Sequence, residues 1–285
     1  MAFKSYRTHQ VGGSMPAGLK SLRQYLKVVD IVLEVADARL PSSSRYPGLE
    51  TILGSRARIL VLTRIDLAEP AATTRWLDVF RAGGTPAVAV NARTGEGMRA
   101  LRQQLAGIAK EKKEKLARKG LRARPLRIMV LGIPNVGKSS LLNRLAGRGA
   151  ARTGDRPGIT RGPQWIRIEG DMELLDTPGV LWSHWHEPGT ALWLGAIGCV
   201  PEGILPVTDI ANLVVEFLLA KAPELLRTRY GITEQEAAGA NLLAAIGRRR
   251  GYLLPGGIID QEKTAQALVN DFREGYLGRF TLELP

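Results

Sequence analysis

The chain has 285 residues, enough for one α/β unit the size of a nucleotide-binding domain plus a smaller companion, and its 45% hydrophobic content excludes global disorder. The formal net charge of +13 points to a polyanionic partner, nucleic acid ahead of an anionic membrane. A single cysteine, Cys199, excludes an internal disulfide, no run of about 18 apolar residues offers a membrane span, and the polar, Gly-rich residues 1–20 do not read as a signal peptide, so the cytoplasm is the expected compartment.

In chain order, the short β-branched runs at 30–36 (DIVLEVA), 58–63 (RILVLT), 87–90 (AVAV) and 126–132 (LRIMVLG) predict strands. Residues 164–168 and 172–175 predict a hairpin pair. Helical stretches between the strands make the fold class α/β with a mainly parallel sheet. The charge-dense segment 110–124 (KEKKEKLARKGLRAR) reads as a solvated helix and linker, with an RNA-contacting helix as the alternative. Beyond Val207 the strand pattern stops. Ile210, Leu213, Val214, Phe217 and Leu218 recur at helical spacing behind a cap at Thr208 or Asp209. Thr233 and Glu236 match a capping box that opens a second helix toward Gly247, and a third starts near Asp260 with Leu268 and Phe272 on one face. The expected organisation is a nucleotide-binding domain over 1–182, a linker over 183–204 and an all-helical, RNA- or ribosome-binding domain over 205–285.

Residues 132–139 read GIPNVGKS, a full match to the phosphate-binding pattern G-x-x-x-x-G-K-[ST], and they lie between an apolar strand and a helical pattern, as that motif requires. Its glycines let backbone N–H groups face phosphates, and the helix N-terminus adds a favourable dipole. Asn135, Val136, Gly137, Lys138, Ser139 and Ser140 are the expected phosphate-side contacts, with Lys138 on the terminal phosphates and Ser139 on Mg²⁺. Asp176 opens DTPG at a strand end, where it would hold the metal through water while the Gly179 N–H meets the γ-phosphate. Between them lies PGIT, whose Thr160 is the candidate mobile metal ligand. Upstream, strand-end TRID offers Asp66 to the ring N–H and exocyclic amine of guanine, a donor pair that adenine lacks, with Thr63 beside it and the stem of Arg64 over the base. NARTG, at the end of the next strand, brings Asn91 and the Ala92 N–H toward the guanine oxygen.

The order TRID, NARTG, GIPNVGKS, PGIT, DTPG resembles that of the YlqF/RbgA family of circularly permuted ribosome-assembly GTPases. Residues 37–41 (DARLP) look like the family's DAR-x-P signature, and residues 269–283 (VNDFREGYLGRFTLE) resemble its tail. The resemblance implies a circularly permuted Ras-like P-loop G domain followed by a C-terminal helical domain. It also implies Mg²⁺-dependent GTP hydrolysis coupled to maturation of the large ribosomal subunit, with its rRNA as partner. Three departures stand out. Thr63 and Arg64 replace the usual Asn and Lys, family aromatics near the N-terminus are missing, and residues 12–15 read GGSM, so Ser14 occupies the position of a proposed catalytic His. Ser14 cannot act as a base at neutral pH as His can. That leaves open a second reading, a nucleotide-gated RNA-binding scaffold with negligible GTPase activity. Val180 follows DTPG where Ras-like enzymes carry a water-orienting Gln. The resemblance then implies low intrinsic turnover, raised by the ribosome, and a potassium ion held partly by Asn135. Lys138, Asn135, Thr160 and Gly179 are accordingly the expected catalytic set. An ATPase of similar motif content is disfavoured by Asp66. His184 and His186 lack the further ligands a zinc site needs.

Overall fold

The computed structural model describes residues 17–46, 48–54, 56–147, 164–168, 171–176, 188–238 and 241–285. They fall into two compact units. One runs from Ala17 to Asp176 and takes in Thr281–Pro285; the other runs from Pro188 to Phe280.

The first unit opens with α1 (Ala17–Leu26) and then alternates: β1 (Ile31–Asp37), α2 (Leu49–Leu53), β2 (Ala57–Thr63), α3 (Pro70–Ala82), β3 (Ala87–Ala89), α4 (Met98–Arg118), β4 (Leu126–Leu131), α5 (Lys138–Ala146), β5 (Gln164–Ile168) and β6 (Met172–Asp176). The strands form one sheet in the order β3-β2-β1-β4-β6-β5, parallel except for β5, which runs antiparallel to β6. All seven residues of β1 are buried, because a parallel strand in mid-sheet is covered on both faces. Val32, Met129 and Leu175 sit side by side in register and pack against Leu22 and Leu26 of α1 and Leu49 and Leu53 of α2. Leu60 and Leu62 meet Trp76 and Phe80 of α3. The alternate residues Leu33, Val35, Ile59 and Val130 are equally buried, and α4 and α5 lie along β4. The strand that feeds the GIPNVGKS loop is thus fourth in the chain yet pairs directly with the first. The parallel G-domain sheet is intact and its starting point is displaced, which is the circular permutation expected.

The charge-dense segment is more than a solvated link. Helix α4 carries its first half as far as Arg118, and both Lys112 Nζ (2.6 Å) and Arg124 Nη2 (2.8 Å) bond the Asp30 carboxylate at the start of β1.

The second unit is built from α6 (Pro188–Ala196), α7 (Val207–Lys221), α8 (Pro223–Tyr230), α9 (Glu234–Ala238), α10 (Leu242–Arg250) and α11 (Gln261–Arg273). Phe217 makes edge-to-face contacts with Trp193, Phe272 and Phe280, and Phe272 stacks on Phe280. The sequence-based boundary needs correction here. Residues 183–204, expected to be a linker, contain α6, whose Ala191, Leu192 and Leu194 are buried, so the helical unit begins upstream of residue 205. Helix α7 starts at Val207 with Pro206 at its N-cap, so Thr208 and Asp209 fall inside its first turn and not at the cap position. The capping box is present. Glu236 accepts from the Thr233 N–H, and the Thr233 hydroxyl accepts from the Glu236 N–H, but the helix it opens ends by Ala238 rather than running to Gly247. Asp260 caps α11 by accepting from the Lys263 N–H. Among the described residues no helix is long and apolar enough to cross a membrane.

Asp271 of α11 accepts two hydrogen bonds from Arg229 (2.7 and 2.8 Å) and one from the Tyr230 hydroxyl (2.9 Å), joining α11 to α8. Burial opposes its ionisation, but the bonds from Arg229 and Tyr230 outweigh it and hold the carboxyl below the usual carboxylate range. A depressed folded pKa means that this stabilisation is complete above the ordinary aspartate range and is lost as pH falls through the lowered value. The protection of α11 amides against hydrogen exchange in the full-length protein, taken relative to their intrinsic exchange rates, should therefore fall at acid pH. Asp271→Asn should remove that acid dependence and weaken protection at neutral pH by ~1–2 kcal/mol. An unchanged acid profile in the variant would contradict the assignment.

Candidate functional site

The phosphate-binding loop leaves β4 after Leu131 and enters α5 at Lys138. A Cβ on Gly132 would lie 2.5 Å from the Val35 carbonyl oxygen of β1, so only glycine lets the loop pass this close to the neighbouring strand. Asn135 (φ 58°) and Gly137 (φ 94°) take left-handed conformations that turn the loop into the helix. The N-cap residue of α5 is Gly137, which has no side chain to cap it, so among the described residues the N–H groups of its first turn stand at the positive end of the dipole. Ser139 and Ser140 are exposed on that turn, Asn135 is exposed on the loop and Val136 is buried beneath it. Lys138 Nζ donates to the Ile133 carbonyl at 2.6 Å, curling back over the loop.

The TRID segment leaves β2 alongside. Thr63 is 2% exposed, and its hydroxyl lies 2.5 Å from the Val136 carbonyl oxygen and 3.1 Å from that of Ala36. It ties the strand end to the phosphate loop and to β1 from within. Arg64 takes φ 55° and its Nη2 donates to the Asn135 carbonyl at 2.7 Å. Both partners of this bond stand in the left-handed region, a conformation that non-glycine residues keep only where surrounding contacts over-determine it. Asp66 is partly exposed, and among the described residues nothing bonds to its carboxylate.

The NARTG turn follows β3. Asn91 is buried, and its Oδ1 accepts from the N–H groups of Arg93 (2.9 Å) and Thr94 (3.2 Å), so this side-chain oxygen shapes its own loop. Ala92 is partly exposed at the bend. Arg144 of α5 donates to the Thr94 carbonyl at 2.7 Å, which fixes this loop to the helix behind the phosphate site. All three loops therefore leave the carboxyl ends of parallel strands of one sheet, the edge at which open α/β sheets bind ligands.

A fourth contributor carried no assigned role in the sequence. Asp37, at the end of β1, is fully buried and accepts three hydrogen bonds from Arg39: from Nε (3.0 Å), Nη2 (2.8 Å) and the backbone N–H (3.0 Å). Burial opposes its ionisation, and the Arg39 guanidinium beside it more than compensates, holding the carboxyl below its usual range. Arg64 Nη1 stands 3.6 Å from the same carboxylate. The DAR signature thus connects β1 to TRID, and TRID connects to the phosphate loop. An Asp closing a strand that is apolar except for Glu34, with an Arg two residues on, was the available signal, since charged residues at so buried a place must pair.

The expected metal-side residues are less fully described. Asp176 ends β6, which pairs with β4 beside the phosphate loop; its side chain, with Thr160, Gly179, Ser14, Val180, His184 and His186, lies outside the described residues.

Comparison with known proteins agrees with this geometry. The family described as 50S ribosome-binding GTPase matches residues 127–222. Ribosome biogenesis GTPase A of Bacillus cereus is 40% identical over 96% of this chain and 92% of its own length. The protein of the same name from Thermotoga maritima is 27% identical over 96% of this chain and 93% of its own. The crystal structure of GNP-bound YlqF from T. maritima superposes with a TM-score of 0.65 at 25% identity, covering 93% of this chain and 97% of that one. Its GDP-bound structure superposes with a TM-score of 0.60. With likeness this extensive in both sequence and fold, the chain is a circularly permuted P-loop GTPase and belongs to the ribosome biogenesis GTPase A family.

Proposed function

We propose that the chain binds and hydrolyses GTP in the cytoplasm as an assembly factor acting on the precursor of the large ribosomal subunit. One observation carries the nucleotide part of this reading. The phosphate loop and the TRID loop are hydrogen-bonded to each other through Thr63–Val136 and Arg64–Asn135, so the group that reads the base and the groups that hold the phosphates form one rigid edge.

On this reading the backbone N–H groups of residues 135–140 cradle the phosphates, and Lys138 exchanges the Ile133 carbonyl for the β- and γ-phosphates. The Asp66 carboxylate accepts from the guanine N–H and amine, the Arg64 stem covers the base, and the Ala92 N–H donates to the guanine oxygen. Ser139, exposed on the first turn of α5, suits a hard oxygen ligand for Mg²⁺, with Thr160 and Asp176 completing the set and Asn135 available to a potassium ion. When bound, these cations supply positive charge against the negative charge that builds on the γ-phosphate oxygens. On this reading the Gly179 N–H would add a donor there, and the residues around the loop keep the phosphate chain in line. The helical unit is the rRNA-facing part on this reading. Arg248 is exposed at the end of α10, whereas Arg249 pairs with Glu236 and Arg250 donates to the Arg229 carbonyl.

GTP turnover measured with added large subunits, small subunits and naked rRNA tests the whole proposal. Slow basal hydrolysis should rise with large subunits alone, and Lys138→Ala should lower the stimulated rate by at least about a hundredfold. Equal rates under all additions would remove the ribosomal part.

Base selection is separately testable. Asp66→Asn should weaken GTP binding by roughly two orders of magnitude and favour xanthosine triphosphate, whose extra carbonyl can accept from the new amide. Unchanged GTP affinity would show that another group reads the base.

Binding to large subunits should also fall steeply with salt as phosphate contacts release counterions. Arg248→Ala should reduce the slope of log affinity against log salt by about 1. A salt-independent affinity would argue for a protein partner on the subunit instead.

A further inference from the structure

The segment Thr281–Pro285 belongs to the sheet-containing unit, although everything from Pro188 to Phe280 belongs to the helical one. It is held by backbone and charged contacts rather than by apolar burial. The Leu282 N–H donates to the Arg39 carbonyl at 2.8 Å. The Glu283 carboxylate accepts from the backbone N–H groups of Ser42 and Ser43 and from the Ser43 hydroxyl (2.6 Å). The Trp76 indole N–H donates to the Glu283 carbonyl at 3.0 Å, and the Glu69 N–H donates to the Thr281 hydroxyl at 3.2 Å. Ordering several residues of chain costs conformational entropy, and such a set of bonds, some of them charge-assisted, is what offsets it.

These contacts fall on two separate stretches of the unit. One is the turn at 38–45 after β1, whose Arg39 clamps Asp37. The other is the start of α3, where Glu69 stands three residues after Asp66. Both lead to the base-reading loop: the first through Asp37 and its 3.6 Å approach to Arg64, the second through the covalent chain 66–69. The two stretches are joined further back by the bond from the Ala38 N–H to the Thr63 carbonyl at 2.9 Å. Thr281, Leu282 and Glu283 bridge the same two stretches a second time.

We propose that Thr281, Leu282 and Glu283 are positioning residues for the guanine-nucleotide site. They clamp the Arg39 turn to the start of α3 and thereby hold Arg64 and Asp66 in register with the phosphate loop. This rests on the guanine-nucleotide reading above. Loss of the clamp leaves the phosphate contacts in place and loosens the base, so nucleotide leaves faster while the chemical step is unaltered.

The test is the dissociation rate of a fluorescent GDP analogue, followed by stopped flow after mixing with excess GDP, together with KM and kcat for GTP. The Thr281→Ala/Glu283→Ala variant should release the analogue about tenfold faster, the equivalent of one charge-assisted hydrogen bond. KM should rise and kcat should hold. Glu283→Gln, which keeps a carbonyl acceptor for the serine N–H groups, should restore part of the retention. Leu268→Ala, a core truncation in α11, serves as a control that lowers the melting temperature and should leave release unchanged. Failure of the unaltered protein to bind the analogue would overturn the guanine reading and this proposal together. Tight binding with identical release from the double variant, or equal acceleration in Leu268→Ala, would overturn this proposal alone.

Discussion

A carboxylate buried at the end of a central strand is the constraint around which this site is organised. Asp37 sits where solvent does not reach, and a charge there costs several kcal/mol unless it is paired and hydrogen-bonded. Arg39 meets that demand almost alone, with side chain and backbone together, and the turn from 37 to 45 is shaped by the need to bring it back. Ser44 braces the same turn by accepting from the Asp37 N–H and donating to the Leu40 carbonyl. Buried ion pairs seldom add much net stability, so the value of this one lies in direction. It leaves Asp37 able to face Arg64 from a fixed place, and the TRID loop inherits that precision.

The permutation acquires a simple physical meaning in this setting. What a nucleotide meets is the spatial order of strand ends, and β4, β1, β2 and β3 present theirs side by side whichever strand comes first in the chain. The cost falls on connectivity. A parallel neighbour cannot be reached by a tight turn, so β1 and β4 are joined through two intervening strands and three helices. Lys112 and Arg124 fasten the last part of that path to Asp30 at the opposite end of β1 from Asp37. The first strand is thus held by a buried charge at one end and a half-buried charge cluster at the other.

Much of this was legible from the residues. The strands at 58–63, 126–132 and 164–168 differ from the observed ones by a residue at most, because buried parallel strands write themselves as short apolar runs between turn residues. The phosphate loop was legible because its pattern encodes backbone geometry directly. Helix α6 was not. PGTALWLGA is apolar nearly all round, so it carries no stripe of helical period and passed for a linker. Thr63 was expected beside the nucleotide. Its place behind the loop depends on Val136, 73 residues away, and no local pattern reports such a partner. The anchoring of Glu283 on Ser42 and Ser43 is hidden for the same reason, since a Thr-Leu-Glu run carries no mark of where it docks.

The docking of Thr281–Pro285 also has a consequence for the order in which the molecule is made. Synthesis runs from the N-terminus, and units tend to fold as they emerge. The sheet can assemble once β6 has appeared, well before its last supporting segment exists, because the whole stretch from Pro188 to Phe280 must be translated in between. A nascent chain at that stage has its phosphate loop and its TRID strand but lacks the bonds to Arg39, Ser42, Ser43, Glu69 and Trp76. The turn after β1 and the start of α3 gain their last bonds only after the helical unit has been translated.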